Sequence, residues 1–257
     1  MRPLIVHYHL FKNAGTSVEA VLKDNLGSGW VSHDSDNPAG SVFAEDIERI
    51  AVADSQITAI SSHQLRPPMP LIDGMVVVPI VFLRHPLDRL QSVYDFDRRR
   101  GPITPAGELA AAHEFDEYVD VLLEQNAIHA NNFQVRTLTD EWDPATGRRL
   151  TRSDHQAFER AAAFIRSLPA VGIVERYDES WLGFAALVRM LFPTFAVAPA
   201  HTNADPSRPV TLEARLDRLC DRLGEARLER LTEANKFDLC LYQAAIDRFE
   251  LRNGSPT

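Results

Sequence analysis

The sequence predicts an α/β protein of three layers, with helices covering both faces of a mainly parallel central sheet. Three observations carry that expectation. Four short apolar runs are continuous rather than alternating, as expected of parallel strands buried on both faces. Segments with helical periodicity alternate with those runs. The residues that carry chemistry cluster just past the ends of the runs, where sheets of this class present their ligands.

Taken in order, Leu4–Leu10 is the first strand, and the helical segments Ala14–Leu26 and Ala44–Ala53 follow it. Ile57–Ser62 is the second strand and Met75–Leu83 the third. Pro79 interrupts the third, and because proline has no N–H to give a ladder, regular pairing is expected to begin there. Pro86 opens the helix Leu87–Arg99, in a first turn that tolerates a missing N–H. Glu114–Leu123 and Asn126–Leu138 are helical, and Ser153–Ser167 opens on a serine cap. Ala170–Val174 is the fourth strand, and Asp178–Leu191, Leu212–Leu223 and Glu225–Phe249 complete the chain as helices. Three Pro- or Gly-rich loops, 66–70, 98–107 and 199–209, are expected over the site. Residues 1–250 are expected to form a single domain, with 251–257 fraying.

Composition narrows the function classes. The 257 residues suffice for a large core without disulfides or metal. A net charge of −9 argues against a nucleic-acid binder, which needs a basic face. The two cysteines, Cys220 and Cys240, show neither a disulfide nor a zinc spacing and are expected as buried small hydrophobes. The first strand begins too early to leave room for a signal peptide, and no apolar run is long enough to span a bilayer, so a cytoplasmic location is expected. No metal-ligand motif appears, and no metal is expected.

The first strand leads into Lys12-Asn13-Ala14-Gly15-Thr16-Ser17 and then a helix. Backbone N–H groups at such a turn and the helix dipole both favour an anion. Lys12 adds a mobile positive charge; Thr16 and Ser17 add hydroxyl donors. The layout is P-loop-like without being the nucleotide-triphosphate loop, in which lysine follows the second glycine. A second anion site is expected past the third strand. There Arg84 offers a bidentate fork and Ser92, two turns into the helix, a hydroxyl. Two sites at two strand ends suit a nucleotide with phosphates at two places better than ATP.

The pair H-x-x-K-N-A-G-T-S and F-L-R-H-P-L-D-R-L-Q-S-V-Y resembles the donor-binding motifs of the PAPS-dependent sulfotransferase family, in the group containing the heparan sulfate 2-O- and related carbohydrate sulfotransferases. PAPS is 3′-phosphoadenosine 5′-phosphosulfate; its desulfated product is PAP. The segments Asn131-Asn132-Phe133-Gln134-Val135-Arg136-Thr137-Leu138 and Val171–Ser180 are similar to further motifs of that family, and His201-Thr202-Asn203 is similar to an asparagine-bearing loop. The resemblance implies a phosphosulfate-binding turn formed by Lys12, Asn13, Ala14, Gly15, Thr16 and Ser17, with the 3′-phosphate on Arg84 and Ser92. Ala14 stands where the family commonly has glycine.

The resemblance also implies sulfuryl transfer to a hydroxyl, a carbohydrate being the expected acceptor. His63, at the end of the second strand, matches the family's catalytic histidine, and an ordinary imidazole suits proton abstraction at neutral pH. Lys12 is expected at the leaving oxygen. His7, His9, His85, Glu19 and Glu175 are weaker candidates. Arg66 and Arg98 are expected beside the acceptor, because selectivity lives on loops. A small-molecule kinase and a non-catalytic nucleotide-binding module are the alternatives.

Overall fold

The computed structural model describes residues 1–139, 142–143, 148–149, 153–197 and 209–253. The expected loop motif His201-Thr202-Asn203 lies outside them. In chain order the elements begin β1 (Arg2–Tyr8), α1 (Gly15–Leu26), β2 (Trp30–Ser32), α2 (Ala44–Ala53), β3 (Ala59–Ser62) and β4 (Met75–Leu83). The helices α3 (Pro86–Arg100), α4 (Pro105–Ala112), α5 (Phe115–Glu124) and α6 (Phe133–Leu138) follow. Then come a short antiparallel pair β5 (Trp142–Asp143) and β6 (Arg148–Arg149), α7 (Asp154–Ser167), β7 (Gly172–Ile173) and α8 (Tyr177–Arg189). The chain continues with α9 (Leu212–Leu223), α10 (Glu225–Ala234) and α11 (Lys236–Asn253).

The main sheet has the order β2-β3-β1-β4-β7, and all its pairings are parallel. Successive side chains of a strand point to opposite faces, and each set finds its own core. Leu4, Val6 and Tyr8 of β1 pack with Ile47 of α2, Ile165 of α7 and Leu241 of α11. Ile5 packs on the other face with Val18 and Leu22 of α1 and Trp181 and Phe184 of α8. That is the expected three-layer α/β arrangement. A third apolar cluster joins α3, α4, α5, α9 and α10 away from the sheet.

Several expectations need correction. β4 pairs with β1 from Met75 onward, through Pro79. β7 reaches only Phe82 and Leu83, so beside Pro79 β4 has β1 on one side and no described strand on the other. The pairing with β1 therefore runs on through the proline, at a place where β4 has only one described neighbour. β2 carries no extended apolar run and was not expected. Asn126–Leu138 is not one helix: Asn126 and Asn132 take left-handed backbone at φ 50° and 48°, which asparagine tolerates, and only α6 is α-helical. The segment Glu225–Phe249 breaks at Asn235, whose amide donates to the carbonyls of Ala130 and Leu231. The loop expected over 98–107 is helical at both ends, and 251–253 continue α11 rather than fraying. Cys220 and Cys240 are exposed, each one position past the buried face marked by Leu219 or just before the one marked by Leu241.

Candidate functional site

Parallel pairing builds one row of polar residues at the carboxyl ends of three strands. Ser32 faces Ser61 across β2–β3, and Tyr8 faces Ser62 across β3–β1. Carrying the same registers on past the strands brings Asp34 beside His63 and His63 beside His9. Asp34 Oδ2 lies 3.0 Å from His63 Nδ1, and Oδ1 accepts the His63 backbone N–H at 2.8 Å and the Ser62 hydroxyl at 2.9 Å. Burial alone pushes the Asp34 carboxyl up, but the Ser62 and His63 hydrogen bonds and the His63 charge together hold it below the ordinary carboxylate range. An ionised carboxylate only accepts, so His63 Nδ1 carries the proton and Nε2 is the basic nitrogen. No sequence pattern had singled out Asp34.

Behind His63 the imidazoles continue inward. The His63 and His9 rings stack with centroids 3.8 Å apart, and His7 stacks on His9 at 5.3 Å. His9 Nδ1 bonds Glu19 at 2.8 Å, and His7 Nδ1 bonds the Ser61 hydroxyl at 3.0 Å. Burial first, then the charges of His9 and His63, hold His7 well below the ordinary imidazole range. His7, His9 and Glu19 place potential ligand atoms within 4.8 Å of one another, a grouping that the sequence did not suggest. Ser61 and Glu19 already occupy both Nδ1 atoms, and Gly15 crowds the far edge of His9. A side-chain carbon on Gly15 would stand 1.9 Å from His9 Cδ2 and 2.1 Å from Nε2, so only glycine fits against this ring.

The turn before α1 holds both Lys12 and Ala14 in left-handed backbone, at φ 64° and 61°. Left-handed backbone is unusual without glycine and concentrates at functional sites. Lys12 Nζ lies 4.4 Å from the centroid of Phe96. Asn13 departs from its expected role. Its side chain is buried behind the turn, where the amide donates to the Phe82 carbonyl at 2.8 Å and to Gln134 Oε1 at 2.7 Å. Asn13 is a tie between the turn, β4 and α6.

Arg84 stands past β4 with its side chain 9% exposed. Its Nε and one terminal nitrogen each lie 2.8 Å from Asp88 Oδ2, and the other donates to the Lys12 carbonyl at 3.0 Å. Arg215 of α9 approaches the other oxygen of Asp88 at 2.8 Å. Gln134 clamps the Arg84 backbone on both sides, accepting its N–H at 3.0 Å and donating to its carbonyl at 2.9 Å. Asp238 in turn caps α6 through the N–H groups of Gln134 and Val135, while Asn132 caps α11 by accepting from Phe237 and Asp238. Glu175, raised by burial, accepts the His85 N–H at 3.0 Å and the Tyr242 hydroxyl at 3.0 Å. Arg89 is fully buried, stacked on Phe133 and donating to the His129 carbonyl. The motif around Gln134 thus frames the site from behind, whereas Glu175 and its neighbours 174–179 line the cleft itself.

One open cleft of about 710 Å³ brings these parts together. His63 and His9 line one end, Lys12, Ala14, Gly15, Thr16 and Ser17 the middle, and Arg84, Ser92 and Arg215 the other. Arg215, unsuspected in the sequence, belongs to the cleft as much as Arg84 does. Two expected acceptor residues do not line it. Arg66 turns back onto the carbonyls of His63 and Leu65. Arg98 donates to Tyr94, the His113 carbonyl and Glu114 and lines a neighbouring cleft. Among the described residues no helix is long and apolar enough to cross a membrane.

The sequence matches no protein-family model. It is 28% identical over 259 residues to an uncharacterized protein of Archaeoglobus fulgidus, an alignment spanning 97% of this chain and 98% of that protein.

Proposed function

We propose that this protein is a PAPS-dependent sulfotransferase that moves a sulfuryl group to an acceptor hydroxyl, with a carbohydrate as the acceptor class. The observation that carries the reading is a single cleft with a carboxylate-held imidazole at one end and a buried Arg–Asp–Arg cluster at the other. The turn with Lys12, Thr16 and Ser17 lies between them. The motif resemblance supplies the identity of the donor; the geometry is compatible with its two anionic ends.

In the proposed reaction Asp34 keeps the His63 proton on Nδ1. His63 Nε2 then takes the proton of the acceptor hydroxyl as its oxygen bonds to sulfur. The bond from sulfur to the bridging phosphate oxygen breaks, and the electron pair leaves on that oxygen. Lys12 neutralises the charge that develops there, and N–H groups at the start of α1 share in it. Arg84, Ser92 and Arg215 hold the 3′-phosphate through charge-assisted bonds. The products are the sulfate ester, PAP and a protonated His63.

Titration calorimetry with PAP and ATP, followed by radiolabelled sulfate transfer from PAPS to glycans, glycolipids and small alcohols, tests this. PAP binding with transfer to at least one carbohydrate is the expected result. ATP binding without PAP binding would turn the reading toward a kinase. PAP binding with transfer to no acceptor would turn it toward a binding module.

A further inference from the structure

The His63 ring does not stand on Asp34 alone. Asp34 holds it at Nδ1, and its face lies on His9, with centroids 3.8 Å apart and the planes 28° from parallel. His63 is exposed and His9 is buried, so the outer ring rests on an inner one. Three neighbours fix the inner ring. Glu19 of α1 meets His9 Nδ1 at 2.8 Å; as a carboxylate it only accepts, so that nitrogen carries the proton. Gly15, the first residue of α1, closes on the far edge at Cδ2 and Nε2. His7, itself held at Nδ1 by Ser61, stacks on His9 with the planes 22° from parallel.

Filling space does not account for this arrangement. An aliphatic side chain would occupy the same volume without a buried nitrogen to satisfy. An imidazole held by a carboxylate at one edge and by backbone at the other has a fixed plane, and a fixed plane gives the ring above it one preferred place. The hydrogen bond to Asp34 fixes one edge of His63 but leaves the ring free to swing about that contact. The stacked face of His9 removes the swing. His9 itself is badly placed to take a proton from a ligand, because Nδ1 is committed to Glu19 and Gly15 crowds Nε2. Both rings line the donor cleft, so a displaced His63 would carry its Nε2 out of line with the acceptor. A misplacement of about 1 Å can cost about 10²-fold in rate.

We propose that His9, oriented by Glu19, is a positioning residue for His63, the seat that holds its imidazole in line with the cleft. Glu19 and Gly15 both belong to α1, so the helix that carries the anion-binding turn also sets the ring beneath the base. The inference rests on the sulfotransferase reading for its effect on turnover; the seating of His63 does not depend on any reaction.

The test uses the full chain with His9→Asn and Glu19→Gln. Asparagine keeps a nitrogen near the place of Nδ1 for Glu19 and removes the ring face. Glutamine keeps both rings and removes the acceptor-only partner, at a position that is only partly buried. Three-bond couplings across χ1 of isotope-labelled His63 should show one rotamer in the wild type and averaging in His9→Asn, with a smaller effect in Glu19→Gln. Sulfate transfer from PAPS should fall about tenfold in kcat in His9→Asn, with PAP affinity within about twofold. In a His63→Ala background the same change should alter the residual turnover by less than about twofold, because a group that acts through His63 has nothing left to act on. A single His63 rotamer in both variants overturns the proposal, as does unchanged turnover in His9→Asn. A loss as large without His63 as with it overturns it too, and makes His9 a fold or substrate contact instead. If the wild type transfers sulfate to no acceptor, the sulfotransferase reading fails by itself, and the couplings still decide whether His9 seats His63.

Discussion

At one end of the main cleft a carboxylate serves a single imidazole; at the other a carboxylate serves two guanidiniums. The Asp34–His63 pair is open to solvent, with side chains 36% and 45% exposed. Asp88 and Arg84 are 2% and 9% exposed. Asp34 fixes one tautomer of an exposed imidazole and leaves its Nε2 as the basic nitrogen. Two guanidiniums around one buried carboxylate gather fixed, directional donors at that end. The first arrangement is suited to moving a proton and the second to holding an anion still. Loss of His63 and loss of Arg84 should therefore fail in different measurements.

The sharpest break of the comparison is His63→Ala. Turnover in the proposed reaction should fall by about 10²-fold or more, while PAP affinity stays within about twofold. Unchanged turnover would remove His63 from the mechanism. Arg84→Ala should do the reverse, weakening PAP binding by about 1.5–3 kcal/mol, or roughly 10- to 150-fold in Kd. Calorimetry would show this, and equal affinity in the variant would mean that the arginine end does not hold the donor.

Asp34→Asn probes the histidine end more gently. The amide can offer an N–H where the carboxylate only accepts, so the Nδ1–H tautomer of His63 loses its enforcement. Turnover should fall about tenfold or more, with KM little changed, as when a group that orients another is lost. Nitrogen-15 NMR of the imidazole gives a readout independent of activity. The wild type should show the proton on Nδ1 and the variant a mixture; a single unchanged tautomer would assign Asp34 to folding alone.

The arginine end also keeps neighbouring histidines uncharged. His85 is held down to about 4 by burial first, then by Arg215 and Arg84 against the opposing pull of Asp88. Burial and Arg89 hold His129 down to about 4 as well. The folded chain refuses protons that the unfolded chain accepts near 6.5, so these groups' contribution is complete above that pH. It is lost as the pH falls from about 6.5 toward 4, at up to about 1.4 kcal/mol per pH unit per group. Urea midpoints at a series of pH values should show this slope, and His85→Asn should flatten it. A slope of the opposite sign would contradict the burial of these rings.

The sheet was legible because buried parallel strands leave continuous apolar runs, and β1, β3 and β4 are such runs. β2 was not, since Trp30–Ser32 has three residues and its place depends on pairing with β3 rather than on apolarity. Lys12, Arg84 and Ser92 were readable as charges and hydroxyls past strand ends. Asp34 was not: it sits in a polar stretch like any surface loop, and only the β2–β3 register brings it to His63. Arg215 carried no sequence signal either; only the packing of α9 brings it to Asp88. Asn13 and Gln134 show what a motif leaves out: it marks a residue without showing which way its side chain points, and here both turn into the fold behind the turn.

The smallest effect tests the turn that joins the two ends. Ala14 occupies left-handed backbone at φ 61° and ψ 16°, where an L side chain costs about 1–2 kcal/mol relative to its ordinary conformation. Glycine removes that strain but adds freedom to the unfolded chain, which offsets about 0.4–1 kcal/mol. Ala14→Gly should therefore stabilise the fold by about 0.5–1 kcal/mol, read as a higher urea midpoint with an unchanged slope. Ala14 is half-buried and lines the cleft, so the same variant reports on donor binding. If the left-handed geometry presents the N–H groups of α1 to an anion, the freer glycine turn will bind PAP slightly more weakly even as the protein becomes more stable. Stability and affinity rising together would mean that the strain at Ala14 plays no part in shaping the site.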